Sequence, residues 1–547
     1  MKSTLKINTI ECQPYQDQKP GTAGLRKKVS VVRQDHYLET YVQSVFNSLS
    51  LPDDATLVLG GDGRYYNNEA IHTIIAIAVA NGVRHLIIGR DGLLSTPAAS
   101  HLIRKHQAFG GFILTASHNP GGPDGDFGIK YNTGNGGQAP EALTDTIYAT
   151  SKNINSYRIA DLPDIDLNAT GSHRLDALQI EIVDSVSDYS SLVQSIFDFD
   201  CMAAAIANNL RIRFDALHGI TGPYAQHIFG ELLGTPTDDI LNSTPLPDFG
   251  GGHPDPNPVD VPGLIADSLS PDSPDLLAAS DGDGDRNMIV LPGQMVSPCD
   301  SLAIMLANAR EIPGYRNGMP GVARSMPTSM AADRVAAELN IPCYETPTGW
   351  RFFCNLLDSG AIGLCGEESF GTGSSHVREK DGLWAILFWL NLLATTGKSG
   401  GQILNEHWHH YGRDYYQRYD YFIEDTAAAD ELFNSLRSDP MNIAKRLPQN
   451  KTLTAADSFT YHDPVDHSIS ENQGVRFSFA DQSRIVYRLS GTGTSGATLR
   501  VYLQHFEADP QKQTLNQTEV LQPLGAIASH LADIERITGL TRPTAII

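Results

Sequence analysis

Short apolar runs alternate with stretches of helical spacing along the first 190 residues of the chain. The apolar runs at residues 56–60, 85–89 and 111–114 each end in a polar turn. Between them, apolar residues recur at helical spacing over residues 68–81 and 98–106. Because strands separated by helical segments are typical of βαβ units, the pattern predicts a mixed or parallel sheet.

The same alternation recurs twice in the middle of the chain. Strand-like runs at residues 210–215, 276–280, 321–324 and 361–365 again end in polar loops, and a helical pattern separates the last two. We therefore expect three α/β units in succession, each of which ends its strands in polar loops.

A glycine-rich break at residues 397–401 follows the most apolar run of the chain, at residues 383–394. Beyond the break, strands are predicted at residues 415–423 and 482–489 and helical spacing at 524–538, which favours a separate α+β domain. A length of 547 residues is consistent with three or four domains. The predicted domains are three α/β domains with mixed sheets and a C-terminal α+β domain, at residues 1–190, 191–305, 306–400 and 401–547.

Composition narrows the class of protein. The chain carries 40 Lys and Arg against 63 Asp and Glu, a net charge of −23, which argues against nucleic-acid or anionic-membrane binding because both need a basic face. Six cysteines without a C-x-x-C pair favour reduced thiols over disulfides or zinc. The first residues lack a signal-peptide core, and residues 383–394 fall short of the about 20 residues of a membrane span. We expect a cytoplasmic protein.

The segment DGDGD at residues 281–285 follows a predicted strand and places three carboxylates in one tight loop. Hard carboxylate oxygens are the ligands that Mg²⁺ prefers. A calcium EF-hand is disfavoured, because it needs glycine and glutamate where this chain has Arg286 and Pro292. An acidic surface turn is the alternative, although uncompensated like charges repel.

The segment TASHNPGG at residues 115–122 ends the apolar run at residues 111–114. A polar turn at the end of a strand is where α/β proteins usually place their chemistry. Ser117 in this turn has three interpretations: a helix N-cap, a nucleophile, or a hydroxyl that carries a phosphate. The turn alone leaves all three open.

The segment RLSGTGTSG at residues 488–496 offers four hydroxyls and three glycines, between Arg488 and Arg500. Such a loop can bind a phosphate, and a solvated glycine-rich hairpin is the alternative. Its G-x-G-x-x-G spacing is not a dinucleotide site, because the following residues alternate like a strand. The GKS at residues 397–399 is not a nucleotide P-loop either, because Leu392 occupies the position of the first glycine.

Three further loops indicate a function only when they are considered together with the serine turn, the acidic loop and the glycine-rich loop. The segment GEESFG at residues 366–371 places carboxylates and a hydroxyl at a strand end, where they can bind sugar hydroxyls or simply cap a helix. Lys380 follows near the same end of the sheet, and the loops at residues 346–350 and 19–28 add hydroxyls and positive charge. Together the loops predict a cleft where a phosphorylated hydroxyl compound meets a metal and a serine, as in a phosphatase, a kinase-like transferase or a mutase.

Six segments resemble the alpha-D-phosphohexomutase superfamily, in family order from Lys19 to Tyr502. They are KPGTAGLRKKV, TASHNPGGPDGDFGIKYN, DGDGDRNM, TPTGWRFF, GEESFGTGSSHVREKDGLWA and RLSGTGTSGATLRVY. The resemblance implies four domains around a deep central cleft, of which the fourth is related to the TATA-binding-protein-like fold. Ala23 and Thr494 stand where many relatives have Ser, and both leave backbone donors intact.

The resemblance also implies roles for the matched residues. The implied ligands of Mg²⁺ are Ser117, Asp281, Asp283 and Asp285, with Ser117 as the carrier of the phosphoryl group. The implied catalytic residues are Ser117, His118, Arg286 and Lys380, with His118 or Lys380 as the candidates for proton transfer. The implied substrate-binding residues are Thr22, Arg26, Lys130, Thr348, Gly349, Glu367, Ser369, Arg488, Ser490, Gly491, Thr492, Thr494 and Arg500.

The activity that the resemblance implies is interconversion of glucose 1-phosphate and glucose 6-phosphate, in glucose and glycogen metabolism. It would pass through phospho-Ser117 and glucose 1,6-bisphosphate, which is both intermediate and activator. The implied partner is a small sugar phosphate, without nucleic acid or membrane, and the chain is expected to be a monomer or weak dimer. The alternatives are a phosphohexomutase of broader sugar range, a non-catalytic scaffold paralogue, and a phosphatase with an aspartate nucleophile.

Overall fold

The computed structural model describes residues 5–21, 23–175, 177–491 and 496–547. Its strands form four main sheets that follow one another along the chain, accompanied by two short ribbons. The first three sheets mix parallel and antiparallel pairs and the fourth is antiparallel, so the predicted fold class is confirmed. No helix in these described ranges has both the length and the apolar character needed to cross a membrane.

The first domain is built on a seven-stranded sheet with a parallel centre. Its strand order is Leu25–Lys28, Asp126–Thr133, Gly110–Leu114, Thr56–Gly61, His85–Leu93, Leu178–Val183 and Gly171–Leu175. A separate ribbon pairs Ile7–Glu11 with Ser156–Ala160. The helices of this part of the chain are Val29–Val32, Tyr37–Asn47, Asn67–Ala80, Thr96–Lys105, Glu141–Ser151 and Ser185–Gln194.

The second and third domains have smaller sheets, each with parallel strands on one side and antiparallel strands on the other. The second sheet has the order Ile240–Leu241, Ile212–Asp215, Leu276–Ser280, Asn287–Leu291 and Gln294–Val296. The third has the order Cys343–Thr346, Val322–Ser325, Leu364–Glu367 and Gly371–Ser374. Their helices are Phe199–Ala207, Thr221–Ala225, the π-helical Gln226–Leu232, Pro262–Ser268, Pro298–Ala307, Ala331–Leu339, Arg351–Asp358, Gly382–Thr396 and Gly400–Tyr411.

The fourth domain is an antiparallel sheet covered by helices. Its strand order is Leu453–Ser458, Val475–Phe479, Arg484–Gly491, Ala497–Glu507, Arg413–Ile423 and Ala545–Ile546. A ribbon pairs Tyr461–His462 with Ile469–Ser470. The helices are Thr426–Ser438, Pro440–Ile443, Gln517–Leu531 and Ile534–Thr538. Short 3₁₀ turns in the chain are Thr237–Asp239, Phe249–Gly251, Ala309–Glu311, Pro313–Tyr315, Ala444–Arg446 and Pro510–Lys512.

One apolar helix, Gly382–Thr396, packs against the sheets of both the second and third domains. The Asp381 side chain caps its start by accepting a hydrogen bond from the Trp384 amide at 3.1 Å, and Gly397 ends it at φ 62°. Residues 382–393 are all buried, as a helix without a polar face requires. The prediction of a core helix at residues 383–394 is confirmed.

The strand ends of the first three domains carry the polar turns that the sequence pattern singled out. Ser117 follows Gly110–Leu114, the DGDGD loop follows Leu276–Ser280, and Glu367 ends its own strand, Leu364–Glu367. In open α/β sheets the crevice beyond the carboxyl ends of parallel strands is the usual place for a ligand. The fold therefore brings these turns to one region between the domains.

Replacing Trp389, which is fully buried in the core helix and donates to the Ser301 hydroxyl at 2.9 Å, tests this packing. Trp389→Ala should lower the free energy of unfolding by about 3–5 kcal/mol, because a large cavity replaces the indole. The measurement is denaturant unfolding of the full chain. Leu269→Ala is the control, since Leu269 is 70 % exposed; equal losses in the two variants would contradict a tightly packed core.

Candidate active site

A cleft of about 890 Å³ lies between the four domains. Nine lysine and arginine side chains line it against six carboxylates, so the cleft is locally basic in an acidic protein. The basic residues are Lys19, Arg26, Lys27, Lys130, Arg286, Lys380, Arg418, Arg488 and Arg500. A groove with this charge concentrates small anions in spite of the net charge of −23.

Ser117 lies in a tight turn at the floor of this cleft. Its φ of 53° is in the left-handed region, which a non-glycine residue adopts only when its surroundings hold it there. The Thr115 hydroxyl accepts a hydrogen bond from the Ser117 amide at 2.7 Å. The Ser117 hydroxyl is 2.9 Å from Asp281 Oδ2 and 3.2 Å from His118 Nδ1. The turn therefore aims the hydroxyl at the acidic loop of the second domain.

A buried ion pair beneath Ser117 supports the turn. The guanidinium of Arg64 contacts both carboxylate oxygens of Asp62, and neither side chain is exposed. The same guanidinium donates to the Ser117 carbonyl at 2.7 Å and to the Asp126 carbonyl at 2.8 Å. Because Arg presents its donors in a rigid planar fork, one side chain ties the turn to two neighbouring segments.

The three aspartates of the DGDGD loop point into a common space. The three residues are at most 3 % exposed, and one oxygen of each side chain lies within 4.8 Å of the others. Asp281 accepts hydrogen bonds from the amides of Asp285 and Arg286, and Asp283 accepts one from the Thr96 hydroxyl. Among the described residues, the buried Oδ1 of Asp283 has no hydrogen-bond partner, and the Oδ1 of Asp285 faces Lys380 Nζ at 3.2 Å. These oxygens fit a divalent cation.

The electrostatics of the loop point the same way. Burial, with Asp283 and Asp285 as close neighbours, raises the pKa of Asp281 well above its usual range. Burial opposes ionisation of Asp283 too, but Lys130 and Thr96 outweigh it and hold the pKa of Asp283 below its usual value. Three ionised carboxylates in this volume repel one another. A bound cation would remove that repulsion.

Two basic side chains lie near this site, His118 next to Ser117 and Lys380 next to the acidic loop, and burial affects their charges differently. Lys380 Nζ is 3.2 Å from Asp285 Oδ1; burial disfavours its charge, but the neighbouring Asp285 carboxylate prevails and raises the pKa of Lys380. His118 is nearly enclosed, and burial followed by the nearby Arg286 and Arg26 lowers its pKa well below the usual value. These shifts favour the charged form of Lys380 and the neutral form of the His118 imidazole.

The loop of the third domain presents a carboxylate and hydroxyls. Glu367 is buried and its Oε1 accepts a hydrogen bond from the Gly349 amide at 2.8 Å, which joins two of the predicted sugar-binding segments. Burial raises the pKa of Glu367. The Thr348 hydroxyl oxygen is buried and has no partner in the part of the chain that the structure describes. Both groups line the cleft and are able to bind hydroxyls.

Two arginines of the fourth domain face each other in the lining of the cleft. Arg488 lies directly opposite Arg500 where Arg484–Gly491 pairs with Ala497–Glu507. Like charges opposite each other in a sheet destabilise it. The buried Arg500 Nε lacks a hydrogen-bond partner among the described atoms, while Arg488 donates to Tyr502 at 3.2 Å. An anion between the two guanidinium groups would satisfy both.

The structure brings most of the predicted site residues together. Those that line the cleft are Arg26, Ser117, His118, Lys130, Asp283, Asp285, Arg286, Thr348, Gly349, Glu367, Ser369, Lys380, Arg488 and Arg500. Asp281 contacts Ser117 from beneath the cleft surface. Ser490 and Gly491 end the strand next to it and are not among its described lining residues. Thr22, Thr492 and Thr494 lie outside the described residues.

Some lining and supporting residues are absent from the sequence predictions. Arg418 lines the cleft near the two fourth-domain arginines, held by Asp420 at 2.9 and 3.0 Å. Gln138 also lines it, and Arg64 supports it from below. The turn GDGR at residues 61–64 follows a predicted strand, as the other site loops do. This position at a strand end could have identified Arg64 as a candidate site residue.

Comparison with known proteins agrees with this arrangement. Family models for the alpha/beta/alpha domains I, II and III of phosphoglucomutase/phosphomannomutase and for the C-terminal domain of phosphoglucomutase-1 match residues 17–158, 187–294, 298–411 and 413–544. The chain belongs to the phosphoglucomutase/phosphomannomutase family. The predicted resemblance to the alpha-D-phosphohexomutase superfamily is thereby confirmed.

Relatives in this family match along their whole length. Phosphoglucomutase of Rhizobium radiobacter is 53% identical over 540 residues, which cover 99% of this chain and all of the relative. Human phosphoglucomutase-1 is 49% identical over 561 residues, with the same coverage. The open-form crystal structure of pp63/parafusin, a phosphoglucomutase from Paramecium, has a TM-score of 0.91 and 46% identity over 99% of both chains. The chain is an intramolecular phosphotransferase of this family, which implies a metal site.

The support of the Ser117 turn can be tested without any substrate. Arg64→Lys keeps a positive charge beside Asp62 but loses the fork that reaches the Ser117 carbonyl. The lost charged hydrogen bond amounts to about 1–3 kcal/mol, so amide hydrogen exchange in peptides spanning residues 115–120 should speed up by roughly tenfold or more. Arg90→Lys, at a half-exposed arginine, is the control. Unchanged exchange in Arg64→Lys would show that the turn holds its strained φ without this contact.

Proposed function

We propose that this chain is a phosphoglucomutase that interconverts glucose 1-phosphate and glucose 6-phosphate, with Ser117 as the phosphoryl carrier. The observation that carries the proposal is the approach of the Ser117 hydroxyl to within 2.9 Å of Asp281 Oδ2, in a cleft lined by nine basic side chains. Phosphoryl transfer depends on positioning and charge neutralisation more than on covalent chemistry by the protein. This cleft offers both.

The first half of the reaction moves the phosphoryl group of Ser117 to the sugar. Arg488 and Arg500 hold the phosphate that the substrate already carries. Glu367 orients the sugar hydroxyls, so that the free hydroxyl of glucose 1-phosphate points at phospho-Ser117. The bond from the sugar oxygen to phosphorus forms as the bond to the Ser117 oxygen breaks, and the proton of the sugar hydroxyl passes on balance to the Ser117 oxygen, which gives glucose 1,6-bisphosphate and free Ser117. Lys380, held protonated beside Asp285, supplies positive charge or a proton where that oxygen develops charge.

The second half requires the bisphosphate to turn within the cleft. The phosphate just formed then takes the place between the arginines, and the other phosphate faces Ser117. Transfer back to the Ser117 oxygen regenerates the phosphoenzyme and releases glucose 6-phosphate. Because water would hydrolyse the phosphoryl group during this step, we expect the domains to close over the bisphosphate.

The metal of this site is proposed to be Mg²⁺. The residues that would hold it are Asp281, Asp283 and Asp285, with an oxygen of the group on Ser117. When bound, it would neutralise charge on the phosphoryl oxygens as a Lewis acid. The buried Asp283 Oδ1, which has no hydrogen-bond partner among the described residues, supports this assignment, as does the Asp285 Oδ1 beside Lys380.

Compartment and assembly are proposed on similar grounds. All six cysteines are free thiols, which supports a reducing, cytoplasmic compartment. A single chain supplies every side of the cleft, which supports a monomer or weak dimer.

Ser117→Ala tests the carrier. It should abolish the phosphate that intact-mass and peptide mapping detect on residues 115–120, and lower kcat for glucose 1-phosphate by about 10⁴-fold or more, because the group transferred has no acceptor. Ser301→Ala, at a buried serine that is not among the described lining residues of the cleft, should keep activity. Retention of activity by Ser117→Ala would remove the proposal, and labelling of an aspartate instead would favour the phosphatase alternative.

Asp283→Asn tests the metal loop. The variant should fold normally and lose about 10²-fold or more in kcat, because one charged ligand of the cation is gone. Titration calorimetry with Mg²⁺ alone should show weaker binding. Asp272→Asn, at an aspartate whose side chain is 91% exposed, is the control. A wild-type rate in Asp283→Asn would indicate that the loop is an acidic turn only.

Rates of conversion of different hexose phosphates test the two remaining alternatives, a broader phosphohexomutase and a non-catalytic scaffold. Conversion of mannose 1-phosphate as fast as glucose 1-phosphate would favour a phosphohexomutase of broader range. Absence of conversion of any hexose phosphate, with unphosphorylated Ser117, would favour a scaffold.

A further inference from the structure

A fully buried carboxylate, Glu379, lies immediately before Lys380 in the chain. It is 0% exposed and accepts hydrogen bonds from three side chains. Lys130 Nζ is 3.1 Å and Asn132 Nδ2 is 2.8 Å from its Oε1, and Gln138 Nε2 is 3.1 Å from its Oε2. All three donors belong to the first domain, whereas Glu379 follows the third-domain sheet.

The three donors come from one hairpin edge that is continuous with the Ser117 turn. Lys130 lies in Asp126–Thr133 and pairs with Ile113 in the strand that leads to Ser117. The chain approaches the third domain so closely here that a Cβ at Gly137 would lie 2.7 Å from the Cys354 sulfur. Glu379 therefore receives its donors from the structural element that also carries the phosphoryl acceptor.

Lys380 is held between two anchored acids. On one side Glu379 binds the first-domain hairpin. On the other, Asp381 accepts a hydrogen bond from Tyr189 at 2.6 Å and lies 2.8 Å from His376 Nε2. The stem of Lys380 passes so close to Gly371 that a Cβ there would lie 2.3 Å from Lys380 Cδ. Because both flanking residues are fixed and its stem is confined, the Lys380 side chain has little freedom, and its Nζ lies next to Asp285.

We propose that Glu379 is a positioning residue, which holds Lys130 directly and places Lys380 opposite Ser117. This inference rests on the proposed mutase function. Stability is a weak reason for such a carboxylate, since a buried ion pair often gains nothing over apolar residues of the same size. Its value lies in geometry: two ammonium groups from different domains are set relative to one phosphoryl acceptor.

Glu379→Gln is the decisive variant because it keeps the shape and removes the charge. The amide keeps one acceptor oxygen and replaces the other by an N–H group, which then faces at least one of the three donors, and Lys130 loses its charged partner. Displacement of the lysines by about 1 Å should lower kcat/KM for glucose 1-phosphate by about 100-fold. If this variant does not fold, Glu379→Asp takes its place, since it keeps the charge and shortens the reach.

Asp358→Asn is the matched control, because it breaks a second contact between the same two domains. Asp358 accepts hydrogen bonds from Asn135 at 2.7 Å and from Arg378 at 2.5 Å, and none of the three lines the cleft as described. It should lose thermal stability as Glu379→Gln does, yet keep kcat/KM within about threefold of wild type.

A double-mutant cycle with Lys130→Gln separates positioning from general damage. If Glu379 acts through its lysines, Lys130→Gln/Glu379→Gln should be within about threefold of Lys130→Gln alone, since the neutral pair can hydrogen-bond again. Losses of kcat/KM that multiply in the double variant would overturn the inference, and so would equal losses in Glu379→Gln and Asp358→Asn. In either case, activity of the wild-type protein would leave the mutase function unaffected. A wild-type protein without mutase activity would overturn both.

Discussion

The burial of three aspartates side by side is the constraint on which the rest of the site depends. Asp281, Asp283 and Asp285 are almost completely shielded from water, and isolated carboxylates in such a place are costly. They persist because backbone amides, a threonine hydroxyl and cations from other domains surround them. The loop can therefore keep its three buried carboxylates only when the domains are assembled around it.

This constraint explains why the cleft is built from strand ends of several domains. The strand ends of one sheet can bring only a few side chains close together. Acidic and basic side chains from the same sheet would also pair with one another and not with a ligand. Here the acids come from the second domain, Lys380 from the third, Lys130 and Ser117 from the first, and the arginines from the fourth. The apolar helix Gly382–Thr396 makes the arrangement rigid because it packs against two sheets directly after Lys380.

The strand-end loops were predictable because each is encoded by adjacent residues: an apolar run followed by a polar turn. The supports beneath them were not. Lys130 and Glu379 are 249 residues apart, and Arg64 is 53 residues from the carbonyl it binds, so no local pattern joins them. The predicted helix at residues 524–538 is two helices, Gln517–Leu531 and Ile534–Thr538, because Asp533 adopts a φ of 52° between them. The spacing of apolar residues does not predict a break that one residue in the left-handed conformation causes.

The distribution of charge along the cleft has a consequence for the proposed order of events. The acidic loop of the second domain contacts Ser117, whereas the facing Arg488 and Arg500 belong to the fourth domain, so the two regions of the cleft are not interchangeable. A phosphate would add to the compensation that the nearby Glu368 and Glu367 give Arg488 and offset the repulsion within the arginine pair, whichever carbon of the sugar carries it. A bisphosphate offers such a phosphate in either of two orientations. In the proposed reaction, a bisphosphate that turns within this cleft of about 890 Å³ therefore places each of its phosphates in turn at the Arg488–Arg500 pair.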